Sequence, residues 1–215
     1  MSSLINSERF AAELVAAERH LSAGSALMRR LIAAHGPCAL APEWRRSPYE
    51  ALVRAVAHQQ LNGRAAQTIL GRFIALFPET PFPMPEDVLA ASEDDLRSAG
   101  LSRQKAAAIR DIAIKASQGI VPMKRSEISR SSDDDIIRRL IQVRGVGQWT
   151  VEMLLIFTLG RLDVLPVDDF GVRSGFTKAS RLPLPVTPRE LREAGSKWAP
   201  YRSVAAWYLW RAANA

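Results

Sequence analysis

Apolar and polar residues alternate along this chain with a helical period almost throughout. From Pro48 onward, Leu52, Val53, Val56 and Leu61 recur at spacings that fall on one helical face, and Ile69, Leu70, Phe73, Ile74 and Phe77 repeat the pattern before Pro78. The spacing predicts two amphipathic helices there, each with one face in a core. Upstream, Ser7 is placed to cap a helix through about His20, and a second helix is expected from about Ser25 to His35, closed by Gly36-Pro37. Pro42 and Pro48 bracket a loop, and Pro81, Pro83 and Pro85 mark another. Ser92-Glu-Asp-Asp95 has the form of a capping box ahead of a segment ending at Gly100. A further helix is expected over about 103–118, with Ile109, Ile112 and Ala116 on one face and Gly119 as its stop. Ser132-Asp-Asp-Asp135 caps one carrying Ile136, Ile137, Leu140 and Ile141. Thr187-Pro-Arg-Glu190 is a capping box with proline at the first helical position, and a last helix starts near Pro200. No segment alternates β-branched residues between hairpin turns, so the expectation is an all-α protein of roughly ten helices.

Composition narrows the classes of function. The 215 residues are 47% hydrophobic and 24% charged, which suits one or two compact domains with an apolar core. No run approaches the roughly eighteen apolar residues of a membrane span. The opening Met1-Ser-Ser-Leu-Ile-Asn-Ser-Glu-Arg lacks the apolar core of a signal peptide. A soluble protein away from membranes is expected, cytoplasmic and nucleoid-associated in a bacterium or nuclear in a eukaryote. Cys38 is the sole cysteine, so neither an internal disulfide nor a thiolate-bound iron–sulfur cluster or zinc cage can form within one chain, and it reads as buried apolar filler. The 29 Lys and Arg against 22 Asp and Glu leave a net charge of +7, with a pI near 10.2, as expected of a polyanion binder. Only Lys105, Lys115, Lys124, Lys178 and Lys197 are lysines. The basicity therefore rests on arginine, which forks onto phosphate oxygens, although a codon bias toward arginine would leave the same imbalance.

Gly145 and Gly147 stand two apart in Val143-Arg-Gly-Val-Gly-Gln148, between two helical patterns. Such a turn bends sharply and lets a partner approach the backbone. The helix that follows presents unbonded N–H groups and its positive dipole end, where a phosphate fits. Two glycines that merely end one helix and begin the next are the alternative.

The longer string Leu140-Ile-Gln-Val-Arg-Gly-Val-Gly-Gln-Trp149, followed by Thr150 and the apolar Met153-Leu-Leu-Ile-Phe157, resembles the DNA-binding hairpin of the helix-hairpin-helix DNA glycosylase superfamily. From about Phe10 to Trp210 the chain resembles its 3-methyladenine DNA glycosylase II, or alkylation-repair, branch, in a short form without an N-terminal β domain. The resemblance implies an all-α fold of two helical subdomains flanking an active-site cleft. Residues 50–161 would hold a wedge loop and the hairpin, and residues 1–49 with 162–215 a bundle carrying the catalytic aspartate. Arg144, Gly145, Val146, Gly147, Gln148 and Thr150 would meet the DNA backbone, with Arg144 where proline is usual. The carbonyls of Ile141, Val143 and Val146 are the candidate ligands of a structural Na⁺ or K⁺; no cofactor is otherwise required.

Breaking an N-glycosidic bond builds positive charge on the deoxyribose, so the site needs a fixed anion and a route for water. The segment Leu165-Pro-Val-Asp-Asp-Phe-Gly-Val-Arg173 resembles the one that supplies this aspartate at a helix start. Asp169 is favoured with Asp168 as the cap, and Asp168 is the alternative; ordinary N-capping accounts for either. In the resembling family, enzymes that also cut the strand carry a lysine at the position of Trp149. No lysine lies between Lys124 and Lys178, so a purely hydrolytic enzyme is implied. Trp149, Trp210, Met153 (in place of a tyrosine) and Phe170 would form the lesion pocket. Trp198, Trp207 and Tyr208 read as core, and Trp210 as either. His58-Gln-Gln-Leu61 resembles a loop whose apolar residue fills the gap left by an extruded base, which points to Leu61 with Gln60 as wedge. The role of His58 is open, and Asn62 and Gly63 depart from the usual small polar loop. The implied function is hydrolysis of alkylated purines such as 3-methyladenine and 7-methylguanine from damaged double-stranded DNA by a monomer. A glycosylase for uracil, hypoxanthine or ethenoadenine, and a non-catalytic DNA-binding protein, are the alternatives.

Overall fold

A computed structural model describes residues 2–61 and 63–215, with backbone only for residues 2–6; Met1 and Asn62 lie outside the described residues. Among the described residues the fold is entirely helical, twelve α-helices and two short 3-10 turns. The chain divides into two compact units, Arg46–Leu154 on the one hand and Met1–Arg45 with Leu155–Ala215 on the other.

The first unit in chain order holds α1 (Ser2–Gly24) and α2 (Ala26–His35). Helix α1 starts before Ser7, contrary to the capping expectation, because neither proline nor glycine interrupts the turn upstream of it. Ser25 caps α2 through its hydroxyl, and Gly36, at φ 72°, ends it. To the same unit belong α10 (Phe170–Ala179), α11 (Pro188–Gly195) and α12 (Arg202–Asn214). Ser203, Val204, Ala205, Ala206, Tyr208, Leu209 and Ala212 of α12 are buried, and so is Trp198, which places Trp198 and Tyr208 in the core. Arg202 forks onto Asp163 at 2.7 and 2.9 Å. The buried Cys38 thiol is pushed up to about 12, chiefly by burial, and so stays protonated as filler.

The second unit runs through α3 (Pro48–His58), α4 (Gly63–Ala75), α5 (Pro85–Ala90), α6 (Glu93–Ser98), α7 (Arg103–Ser117) and α8 (Asp133–Leu140); α9 (Gln148–Phe157) contributes residues to both units. Helix α5 was expected as loop. Pro85 instead opens it at a position where the missing N–H is no loss, and Asp87 accepts the Met84 N–H at 2.8 Å. Ser92 and Ser132 cap α6 and α8 as their patterns indicate. Ile141 departs from the expected apolar face: it follows the last turn of α8 and is 47% exposed. The core of this unit gathers Leu52, Val53 and Val56 of α3, Leu70 and Phe73 of α4, and Ile109, Ile112 and Ala116 of α7, all buried. Each large side chain so buried contributes about 1.5–3 kcal/mol. Among the described residues no helix is long and apolar enough to cross a membrane.

Candidate functional site

The turn between α8 and α9 is built by two overlapping tight bends, with Val143 N–H donating to the Leu140 carbonyl and Val146 N–H to the Val143 carbonyl, each at 3.1 Å. Val143 and Val146 are buried and pin it inward. Gly145 has φ 75°, a region closed to most side chains, and an added Cβ would sit 3.1 Å from Ala108 Cβ. Gly147 has neither constraint: a Cβ there would meet nothing within 4 Å. The packing of this chain therefore does not account for the second glycine, which leaves bare backbone just ahead of the first turn of α9. The Arg144 side chain is exposed, and its backbone N–H donates to Asp111 Oδ2 of α7 at 2.7 Å. Gln148 is exposed and donates to Glu152 Oε1 at 2.9 Å. Thr150 is buried, 4% exposed, so of the expected backbone contacts its side chain is turned away from the surface.

The loop after α3 is tied to the same turn. Gln59 ends the helix, and Gln60 adopts a left-handed φ of 58°, which throws the chain outward. The Gln59 amide Nε2 donates to the Gly145 carbonyl at 3.0 Å, and Lys105 Nζ of α7 donates to the Ala57 carbonyl at 2.8 Å. Partial burial holds the Lys105 ammonium below its ordinary value. Leu61, at the tip, is 39% exposed rather than packed in a core. Beside this loop lies a cavity of 450 Å³ lined by Ala55, His58, Gln59, Gln60, Trp149, Thr150 and Met153. Trp149 is 44% exposed and Met153 half-buried. Gln60, Trp149 and Met153, named separately from the sequence, thus share one wall.

In the other unit, Asp169 is the N-cap of α10. Its Oδ1 accepts the Val172 N–H at 2.8 Å and the indole Nε1–H of Trp210, on α12, also at 2.8 Å. The Trp210 ring lies against Phe157 at 5.6 Å between centroids, and it passes so close to Gly171 that a Cβ there would be 2.9 Å from Trp210 Cδ1. Asp168 is exposed and does not cap the helix, which corrects the expected division of labour: capping and the indole bond both fall on Asp169, because only its side chain precedes the first turn with extended backbone. Phe170 is 78% exposed. Trp207 is half-buried with the Arg211 guanidinium over its ring.

Several contributors escaped the sequence. The Gln59, Lys105 and Asp111 contacts join residues 33 to 86 positions apart, for which no local pattern exists. Glu152 was within reach, since four residues from Gln148 on a helix is a contact spacing.

A family model described as HhH-GPD superfamily base excision DNA repair protein matches residues 53–200. DNA-3-methyladenine glycosylase 1 of Schizosaccharomyces pombe is 38% identical over 205 residues, covering 95% of this chain and 90% of that protein. Among solved structures, the S. pombe 3-methyladenine DNA glycosylase in complex with abasic DNA is similar with a TM-score of 0.81 at 39% identity, over 91% of this chain and 95% of that one. A DNA-3-methyladenine glycosidase from Bacillus halodurans has a TM-score of 0.81 at 32% identity, over 91% and 88%.

Proposed function

The chain belongs to the HhH-GPD superfamily of base excision DNA repair proteins, and on that premise we propose that it is a hydrolytic DNA glycosylase that removes alkylated purines. The observation that carries this reading is Asp169, whose Oδ1 is clamped by Val172 N–H and Trp210 Nε1–H. Two donors on one oxygen fix the plane of the carboxylate before substrate arrives, which is what electrostatic stabilisation of a developing cation requires. In the reaction the bond from C1′ to the base nitrogen breaks and its electron pair leaves with the base. Positive charge develops on the sugar opposite Asp169, and water adds to C1′ while its proton passes to the carboxylate or to solvent. An alkylated purine is already cationic, so it departs as a neutral base and needs no strong general acid.

The remaining roles follow the chemistry of each segment. The turn at Gly145 and Gly147, with the first N–H groups of α9, holds a phosphate of the DNA partner, and exposed Arg144 adds charge. Leu61 and Gln60 fill the stack where the base was extruded. Trp149 offers an indole face to the flipped base, and attraction of a cation to such a face is worth on the order of 0.5–2 kcal/mol. The carbonyls of Ile141, Val143 and Val146 are the groups that would hold a monovalent Na⁺ or K⁺. Val143 O already accepts one N–H and keeps a second lone pair, and an all-carbonyl set suits a hard cation. Such an ion would supply charge for the approach of phosphate to the turn. The enzyme acts as a monomer.

Incubation with methylated duplex DNA is expected to release free alkylpurine, measured by chromatography, and to leave abasic sites. DNA binding without release of any base from a panel that adds uracil, hypoxanthine and ethenoadenine would instead establish a non-catalytic binding protein. Borohydride is expected to trap no covalent adduct with abasic DNA, because Trp149 stands where a Schiff-base amine is required and Lys105 Nζ is bonded to the Ala57 carbonyl. Efficient trapping on denaturing gels would overturn the hydrolytic assignment.

A further inference from the structure

The imidazole of His58 lines the same 450 Å³ cavity as Trp149 and Met153, and the mechanism above gives it no task. Its Nδ1 lies 2.8 Å from the carbonyl oxygen of Arg54, one turn back on α3. A carbonyl only accepts, so Nδ1 carries the proton, and in the neutral ring Nε2 is then an acceptor. Nε2 has no hydrogen-bond partner among the described residues. The helix therefore fixes both the tautomer and the ring, and leaves Nε2 with a lone pair on a residue that lines the cavity together with Trp149, Met153, Ala55, Gln59, Gln60 and Thr150. Of the two amides, that of Gln59 is committed to Gly145. No charged side chain is among the described residues lining the cavity.

We propose that His58 is a specificity-determining residue whose Nε2 accepts a hydrogen bond from the exocyclic amino group of an adenine-type lesion and disfavours a guanine-type one. This rests on the glycosylase reading. Adenine carries an amino donor at its six position where guanine carries a carbonyl acceptor. Methylation that leaves the purine cationic strengthens the amino donor. A carbonyl oxygen brought to the same place confronts the imidazole lone pair and leaves two acceptors unpaired, the kind of mismatch by which a site rejects a near-isostere.

The test compares single-turnover release of 3-methyladenine and 7-methylguanine from methylated duplex DNA by the full-length protein and by His58→Phe, His58→Ala and His58→Gln, with thermal melting to establish that each folds. The ratio of 3-methyladenine to 7-methylguanine rates is expected to fall about 10-fold in His58→Phe and His58→Ala, the loss of one hydrogen bond. Glutamine, which carries an acceptor oxygen near the place of Nε2, is expected to restore most of the ratio. A ring that served only to pack α3 would slow both substrates equally, so an unchanged ratio in the folded Phe and Ala variants overturns the role of His58 while the glycosylase reading stands. Release of neither base by the unsubstituted protein overturns the glycosylase reading and this assignment together.

Discussion

Asp169→Asn is expected to slow single-turnover base release by about 10²–10³-fold or more, the usual size of losing a preorganised electrostatic group in a transition state, while leaving affinity for DNA intact. Asparagine is the informative replacement because it caps helices as well as aspartate does. Its amide oxygen can still accept from Val172 N–H and Trp210 Nε1–H, the two bonds that hold Oδ1 at 2.8 Å each. Helix α10 should start where it did, and the difference that remains is one negative charge opposite the sugar. Alanine would confound this by removing the cap as well, at about 1 kcal/mol of stability. Asp168→Asn, at an exposed position outside the cap, should stay within about two-fold, as surface substitutions do. Rapid-quench assays on methylated DNA beside fluorescence anisotropy with the same duplex separate chemistry from binding. Collapse in Asp168→Asn alone would move the catalytic role one residue, and full activity in both variants would remove it from this segment.

A larger effect on stability is expected at a residue with no chemistry at all. Gly175 sits in the middle of α10, and a Cβ placed on it would overlap the carbonyl oxygen of Leu209 and lie 2.6 Å from its carbonyl carbon, both in the backbone of α12. A side-chain tip can swing away from such a clash, but a helical backbone can only translate. Alanine at position 175 gains about 1 kcal/mol of helix propensity, yet overpacking between two helix backbones costs about 3 kcal/mol or more. The clash wins, and Gly175→Ala is expected to melt well below the unsubstituted chain in a calorimeter. Because Asp169 caps α10 and α12 carries Trp210, forcing the helices apart should also lengthen the bond between these two side chains. Any Gly175→Ala protein that folds should therefore release base more slowly than its DNA affinity accounts for. Unchanged melting and activity would mean that the close approach of α10 and α12 is not what positions Asp169.

The helices were legible where a local rule applied. Ser25, Ser92, Ser132 and Thr187 each put an oxygen before an apolar period, and each caps a helix. Legibility failed at α5, where three prolines within five residues read as loop although Pro85 fits a first turn, and at the start of α1, where Ser7 looked like a cap and lies inside the helix. In both cases the local signal had two structural uses, and packing chose between them. Leu61 shows the same limit for the site. A leucine one turn beyond Val56 and Ala57 continues the apolar pattern, but the chain leaves the helix at Gln59 and the left-handed Gln60 carries Leu61 out to solvent.

By itself, the sequence determined the all-helical class, the tight glycine turn before α9, the aspartate pair before α10 and the absence of a lysine at position 149, because each depends on residues adjacent or one turn apart. Only the tertiary structure decided which aspartate is held, that Gln59 and Asp111 brace the turn, that Gly175 sets the spacing of α10 against α12, and that His58 lines one cavity with Trp149 and Met153. These depend on contacts between residues tens of positions apart. Such contacts form when whole faces are buried together, and burial is nondirectional along the chain, so no short pattern records them.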